Sequence, residues 1–217
     1  MSVRDQLRAV LSTLGSQTAL IAVSKTKPVE LLQEAYDAGQ RDFGENKIQE
    51  MATKWELLPK DIRWHMIGHV QTNKIKYMAP FVHLVHGVDR EKVLDELNKA
   101  AKKANRTIDC LLQVHIAAEE TKFGFDPEEV EGVVARADQW PFVRIRGLMG
   151  MATHTDDEAQ VEREFTQLRE LFERFKAPQE WDTLSMGMSN DYPTAIRCGS
   201  THVRIGSAIF GARNYNE

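Results

Sequence analysis

Hydrophobic positions along the chain follow two periods. Short stretches alternate every second residue or are apolar throughout, and longer ones repeat every three to four residues. The first spacing marks strands and the second marks amphipathic helices. Val3, Leu7, Val10, Leu11 and Leu14 predict an N-terminal helix over residues 2–14. A strand follows at about 19–25. Pro28 then reads as the first residue of a helix with Leu31, Leu32, Ala35 and Ala38 on one face, closed by Gly39. Residues 42–44 predict a very short strand. The helix after it carries Ile48, Met51, Ala52, Trp55 and Leu58, and stops at Pro59.

The alternation continues. Residues 63–67 read as a third strand and 72–79 as a polar helix. Residues 81–88 are nearly all apolar, as in strands buried on both faces. Asp89 reads as the cap of a helix bearing Val93, Leu97, Ala100, Ala101 and Ala104, and 108–116 as the fifth strand. Asp126, Pro127 and Glu129 have the spacing of a capping box with proline at the first helical position. A sixth strand at 142–149, a long helix from Asp157, a seventh strand at 181–185, a short helix ending at Gly199 and an eighth strand at 201–205 complete the pattern.

Strands that alternate with helices imply a parallel sheet. Eight such units without a linker or repeat predict an α/β fold. The expected form is a single (β/α)8 TIM-type barrel over residues 1–217, with an extra N-terminal helix. The length lies near the lower limit of the ~200 to 400 residues of that fold, so the barrel must be nearly bare. The alternative, an open doubly wound sheet, lacks support because no GxGxxG follows any strand.

Charge narrows the partners. With 28 basic and 32 acidic residues and no basic block, nucleic acid is not the expected ligand. No stretch approaches the ~20 apolar residues of a membrane span. Cys110 and Cys198 form no CxxC pair, and the N-terminus lacks the apolar run of a signal peptide. These features predict reduced thiols and a cytoplasmic protein.

Barrel active sites gather at the C-terminal ends of the strands. The first strand runs out of apolar residues at Lys25, which shares a face with Ile21 and Val23. Burial favours a neutral amine, the form that Schiff-base chemistry needs. The plain alternative is a surface lysine. Lys27 directly precedes Pro28 and is expected at the helix entrance, in solvent. After the seventh strand, Ser189 is placed as a helix N-cap. After the eighth, Gly206 and Ser207 let a backbone approach an anion closely. Each has a plain reading, a cap and a turn. Together with a lysine across the barrel mouth, they suggest a phosphorylated aldehyde, pyridoxal 5′-phosphate (PLP).

Other clusters carry less. His65 and His69 stand four apart across a strand end and Gly68, not on one helical face, so no metal site is expected. His202 reads as a core or rim residue. The segment 119–124 reads as a polar loop. Glu45 and His65 are conceivable acid/base groups near Lys25, but no spacing singles them out.

Five segments then carry a resemblance. Residues 22–28 (AVSKTKP), 43–46 (FGEN), 64–74 (WHMIGHVQTNK), 184–189 (LSMGMS) and 203–211 (VRIGSAIFG) resemble, in the same order, the pyridoxal phosphate homeostasis proteins. The family usually has proline where His69 stands and leucine where Val70 stands. The resemblance implies a barrel similar to the N-terminal domain of alanine racemase, with PLP held as a Schiff base on Lys25. It implies phosphate contacts from Ser189, Gly206 and Ser207, Arg204 facing the pyridine nitrogen, and Asn46 beside the cofactor. Its expected role is PLP homeostasis without strong catalytic turnover. Expected partners are PLP, free amino acids or PLP-dependent apo-enzymes, and the expected state is a monomer or weak dimer.

Two rival functions remain. One is a PLP-dependent amino-acid racemase, the other a cofactor-free Schiff-base lyase acting on a sugar phosphate. Racemisation needs proton donors on both faces of the substrate carbon. In alanine racemase-like enzymes a second domain supplies one of them, whereas only residues 212–217 follow the last matched segment here. An arginine at the ring nitrogen also makes a poor proton donor.

Overall fold

A computed structural model of the chain describes residues 2–119 and 123–211. Helix α1 (Val3–Ser12) begins with a reciprocal cap: Asp5 N–H donates to Ser2 Oγ, and the Asp5 carboxylate accepts from Ser2 N–H. The strands are β1 (Ala19–Val23), β2 (Asp42–Glu45), β3 (Arg63–Met66), β4 (Leu84–Val88), β5 (Ile108–Gln113), β6 (Val143–Met149), β7 (Thr183–Met188) and β8 (His202–Ile205). All pair in parallel, in sequence order, and β8 closes on β1 through Ala22 opposite Ile205. The expected eight-stranded barrel is what forms.

The helices are α2 (Val29–Asp37), α3 (Ile48–Leu57), α4 (Ile75–Met78), α5 (Glu91–Lys103), α6 (Glu129–Ala135), α7 (Glu158–Lys176), α8 (Tyr192–Arg197) and α9 (Ser207–Phe210). A 3-10 turn, Thr72–Lys74, leads into α4. Because α9 is a single turn, α1 covers the wall beside it and packs against both α9 and α2. The main core lies between strands and helices. It includes Leu20, Ala22, Phe43, Trp64, Val85, Leu112, Leu148 and Val203. A second, small cluster of Leu84, Leu111 and Met149 fills part of the barrel interior. Among the described residues no helix is long and apolar enough to cross a membrane, and Cys110 and Cys198 are free thiols.

Several boundaries differ from the sequence pattern. Phe81 is apolar but precedes β4, because its ring stacks on Trp55 at 4.5 Å. Strand β5 ends at Gln113, where the Gln113 side chain donates to Phe123 O. Strand β7 starts later and runs on to Met188. Pro28 is the N-cap of α2, with ψ at 153°, and not its first helical residue. Asp126 and Glu129 form half of the expected box: Asp126 N–H donates to Glu129, but the helix begins only at Glu129. Asp89 caps nothing, since its carboxylate is taken by His69 and Arg90.

Candidate functional site

Strand β1 ends in a tight turn. Ser24 N–H donates to Gly44 O at 3.0 Å, Lys27 N–H returns to Ser24 O at 3.1 Å, and Thr26 takes a left-handed φ of 61°. A threonine there needs support, and Glu50 Oε1 gives it by accepting Thr26 N–H at 2.6 Å. Lys25 sits in this turn, half-buried. Lys27 is not in solvent as expected. Its ammonium donates to the carbonyls of Phe210 and Gly211, both at 3.0 Å, and so ties the turn to the end of α9.

Beneath the turn lies a buried charge cluster. Lys54 Nζ donates to Ser24 O at 2.8 Å, to Glu45 Oε1 at 2.8 Å and to Glu50 Oε1 at 2.7 Å, and Ser24 Oγ donates to Glu45 at 2.6 Å. Burial pushes the Glu45 carboxyl up to about 7, with Lys54 pulling the other way. Glu45 faces α3 and not the barrel interior, so it does not take the acid/base role considered for it.

The rim of β7 and β8 brings three expected residues together. Gly206 N–H points to Ser189 Oγ at 3.5 Å, and Ser207 Oγ lies 3.3 Å from the same oxygen. Ser189 is not a helix N-cap: α8 starts three residues later, after Asp191, and Asp191 instead accepts Met188 N–H at 2.6 Å. Gly187, with φ at 95°, turns the chain into this loop. A Cβ on Gly206 would come within 3.0 Å of Val23 O, so β1 and β8 approach as closely as a glycine permits. Asn46 occupies the bend after β2, where Gly68 packs so tightly that a Cβ would lie 2.5 Å from Asn46 O. Residues 120–122 of the polar loop and 212–217 lie outside the described residues.

Arg204 is buried on β8. It donates through Nη1 to Ser185 Oγ at 2.6 Å and through Nη2 to Gly150 O at 3.0 Å. Burial lowers its pKa to about 10, so it stays cationic at neutral pH. These bonds use two of the five N–H groups of a guanidinium and leave others for a ligand. Four partners deeper in the barrel were not singled out by sequence: Ser185, His86, His65 in this role, and Asp42. Their signal was faint, namely polar residues at alternate positions within apolar strands. At the opposite rim, His69 Nδ1 lies 2.7 Å from Asp89 Oδ2, and its ring packs 4.3 Å from Phe123. Among the described residues no cluster of His, Cys, Asp or Glu could hold a metal ion.

The Ser189 hydroxyl, with the Ser207 hydroxyl and the Gly206 N–H each within 3.5 Å of it, forms a neutral donor set suited to an anion. The buried guanidinium is a fixed donor suited to a ring nitrogen that accepts. The residues fit PLP.

Comparisons with known proteins bear on the fold and on the family. Residues 2–214 match the alanine racemase N-terminal domain family. The pyridoxal phosphate homeostasis protein of Haemophilus influenzae is 43% identical over 203 residues, which cover 91% of this chain and 86% of the relative. PipY of Synechococcus elongatus superimposes with a TM-score of 0.91 without PLP, at 33% identity, covering 97% of this chain and 100% of that one. Its form with PLP bound gives 0.88 at the same identity and coverage. On the order of its motifs, its closed barrel and these likenesses, the chain belongs to the pyridoxal phosphate homeostasis protein family.

Proposed function

We propose that this protein binds PLP on Lys25 and serves PLP homeostasis in the cytoplasm. The observation that carries the reading is the junction of β1 and β8. Ala22 pairs with Ile205, so the turn holding Lys25 and the Ser189–Gly206–Ser207 donors leave adjacent strand ends. PLP carries its aldehyde and its phosphate arm on neighbouring ring carbons, which suits a lysine and an anion site at neighbouring strand ends. When bound, PLP supplies the aldehyde. Lys25 would supply the amine that condenses with it, with loss of water.

In this reading Ser189, Ser207 and the Gly206 N–H hold the phosphate, Asn46 flanks the ring, and Arg204 donates to the pyridine nitrogen without protonating it. Lys27 is held by the carbonyls of Phe210 and Gly211 at the end of α9. Free amino acids and PLP-dependent apo-enzymes are the proposed exchange partners. The protein acts as a monomer or weak dimer, with neither nucleic acid nor membrane among its partners.

Borohydride reduction of the PLP-loaded protein followed by peptide mapping tests this. A reduced adduct on Lys25 is expected. An adduct on Lys27, or none, would overturn it. PLP should also bind far more tightly than pyridoxal, since charge-assisted bonds to the phosphate are worth roughly 1.5–3 kcal/mol each.

A further inference from the structure

Five side chains inside the barrel form one continuous hydrogen-bond path. Arg204 Nη1 lies 2.6 Å from Ser185 Oγ, and Ser185 Oγ lies 2.9 Å from His86 Nδ1. His86 Nε2 lies 3.0 Å from His65 Nδ1, and His65 Nε2 lies 3.0 Å from Asp42 Oδ1. The path crosses from the last turn of β8, through β7, β4 and β3, to the first residue of β2. Arg204, Ser185, His86 and His65 are all at most 4% exposed. At the far end Arg63 Nε also donates to Asp42 Oδ1, at 2.7 Å.

The ends of this path fix its direction. An arginine only donates, so Ser185 Oγ accepts from Arg204, and its single proton finds an acceptor in this path only at His86 Nδ1. That nitrogen is therefore bare, and His86 carries its proton on Nε2. His86 then donates to His65 Nδ1, so His65 is also the Nε2–H form and donates to Asp42. A carboxylate only accepts, which ends the path without conflict. The reverse direction would have Ser185 Oγ accept from both Arg204 and His86, leaving its own buried proton without an acceptor in the path. Two histidines alone permit either direction; with an arginine at one end and an aspartate at the other, only this one gives every proton in the path an acceptor. Burial holds His86 well below the usual histidine range, and Asp42 is held ionised by its bonds to Arg63 and His65. Charge therefore sits at the two ends, with a neutral His86 between them.

We infer that Asp42, His65, His86 and Ser185 are positioning residues for the cofactor, forming a one-way relay that orients the Arg204 guanidinium toward the pyridine nitrogen. This rests on the proposed reading that Arg204 faces that nitrogen. Ser185 has one hydroxyl proton. Committed to His86, it leaves a lone pair permanently aimed at Nη1, so the guanidinium has one orientation and its remaining N–H groups have fixed directions. If the relay is cut at His65, the proton on His86 Nε2 loses its acceptor. Ser185 is then free to rotate, and the arginine loses its fixed acceptor.

Two experiments test this. Long-range proton–nitrogen NMR of the ligand-free protein at pH 7 should show both His65 and His86 as neutral Nε2–H tautomers. A proton on Nδ1 of either ring would overturn the relay. The second compares PLP with 1-deazapyridoxal 5′-phosphate, which has C–H in place of the ring nitrogen, by equilibrium titration. Wild type should prefer PLP. His65→Leu should lose about tenfold of that preference, the size of one weakened charged hydrogen bond, by weakening PLP and not the deaza analogue. His65→Gln, which offers an acceptor to His86 and a donor to Asp42, should restore it. Equal weakening of both ligands would mean a merely structural role and would overturn the inference. Equal affinity of wild type for both would instead overturn the Arg204–nitrogen reading. If His65→Leu does not fold, Ser185→Ala, which cuts the path at its other end, carries the same comparison.

Discussion

Lys54 Nζ stands 2.8 Å from Glu45 Oε1 in a place closed to solvent, with the lysine side chain 7% and the glutamate side chain 0% exposed. The same ammonium holds Ser24 O, one residue before Lys25. The ion pair thus lies directly under the turn that presents the proposed attachment lysine. Breaking a buried pair leaves an uncompensated charge, which costs far more than an exposed pair contributes.

Lys54→Met should therefore destabilise the protein by roughly 3–5 kcal/mol. Adding Glu45→Gln in the same chain should recover a large part of that loss, because the stranded carboxylate is gone. Urea unfolding of the two single variants and the double variant measures this. Additive losses would show that the pair does not act as a unit.

The pH dependence of stability has two opposed contributions. Burial lowers His202 to about 4 and places His86 well below its ordinary value of 6.5. Between about 4 and 6.5 the unfolded histidines bind protons that the folded ones do not, so stability rises with pH in that window. Glu45 is raised from 4.5 to about 7. Between those values the folded state binds the extra proton, so its contribution falls as pH rises. Two histidines outweigh one glutamate, and stability should increase from pH 4.5 to 6.5. Glu45→Gln removes the opposing contribution and should steepen the slope, by at most ~1.4 kcal/mol per pH unit. Denaturant midpoints across that range for both proteins provide the measurement.

Gly187 sets the path of the chain into the Ser189 loop. Its φ is 95°, and a Cβ would lie 2.6 Å from Ala195 Cβ and 3.0 Å from Tyr192 Cα. Gly187→Ala should cost roughly 1–3 kcal/mol from backbone strain alone. It should also weaken PLP more than pyridoxal, since the displaced loop carries a phosphate contact. Gly15→Ala, with nothing within 4 Å of its Cβ, is the neutral control. Thermal melting and ligand titration on the three proteins decide the matter.

Turnover of amino acids should be far below an enzyme's. Arg204 stays cationic with a pKa of about 10, so it does not give the ring nitrogen a proton, and an unprotonated ring withdraws electrons weakly. Incubating the PLP-loaded protein with L- and D-amino acids should change its spectrum without yielding racemised or decarboxylated product. Turnover near ~10 s⁻¹, abolished by Lys25→Ala, would favour the racemase reading.

Sequence alone determined the order of elements. Alternation of short apolar runs with 3.6-period stretches is a local property, and eight such units close readily into a barrel. The same local logic placed Lys25 at the end of β1 and Gly206 and Ser207 after β8. Tertiary structure decided what each side chain meets. Lys27 and Lys25 look alike in the chain, and only the return of α9 beside β1 gives Lys27 two carbonyls. Ser189 has the spacing of a cap, but strand β7 runs on to Met188 and turns its hydroxyl toward Gly206. The path from Arg204 to Asp42 joins residues up to 162 positions apart and exists only because closure puts five strands around one interior. A hydrogen bond needs its donor within about 3 Å of its acceptor, and no spacing along a chain specifies that distance between strands on opposite sides of a barrel.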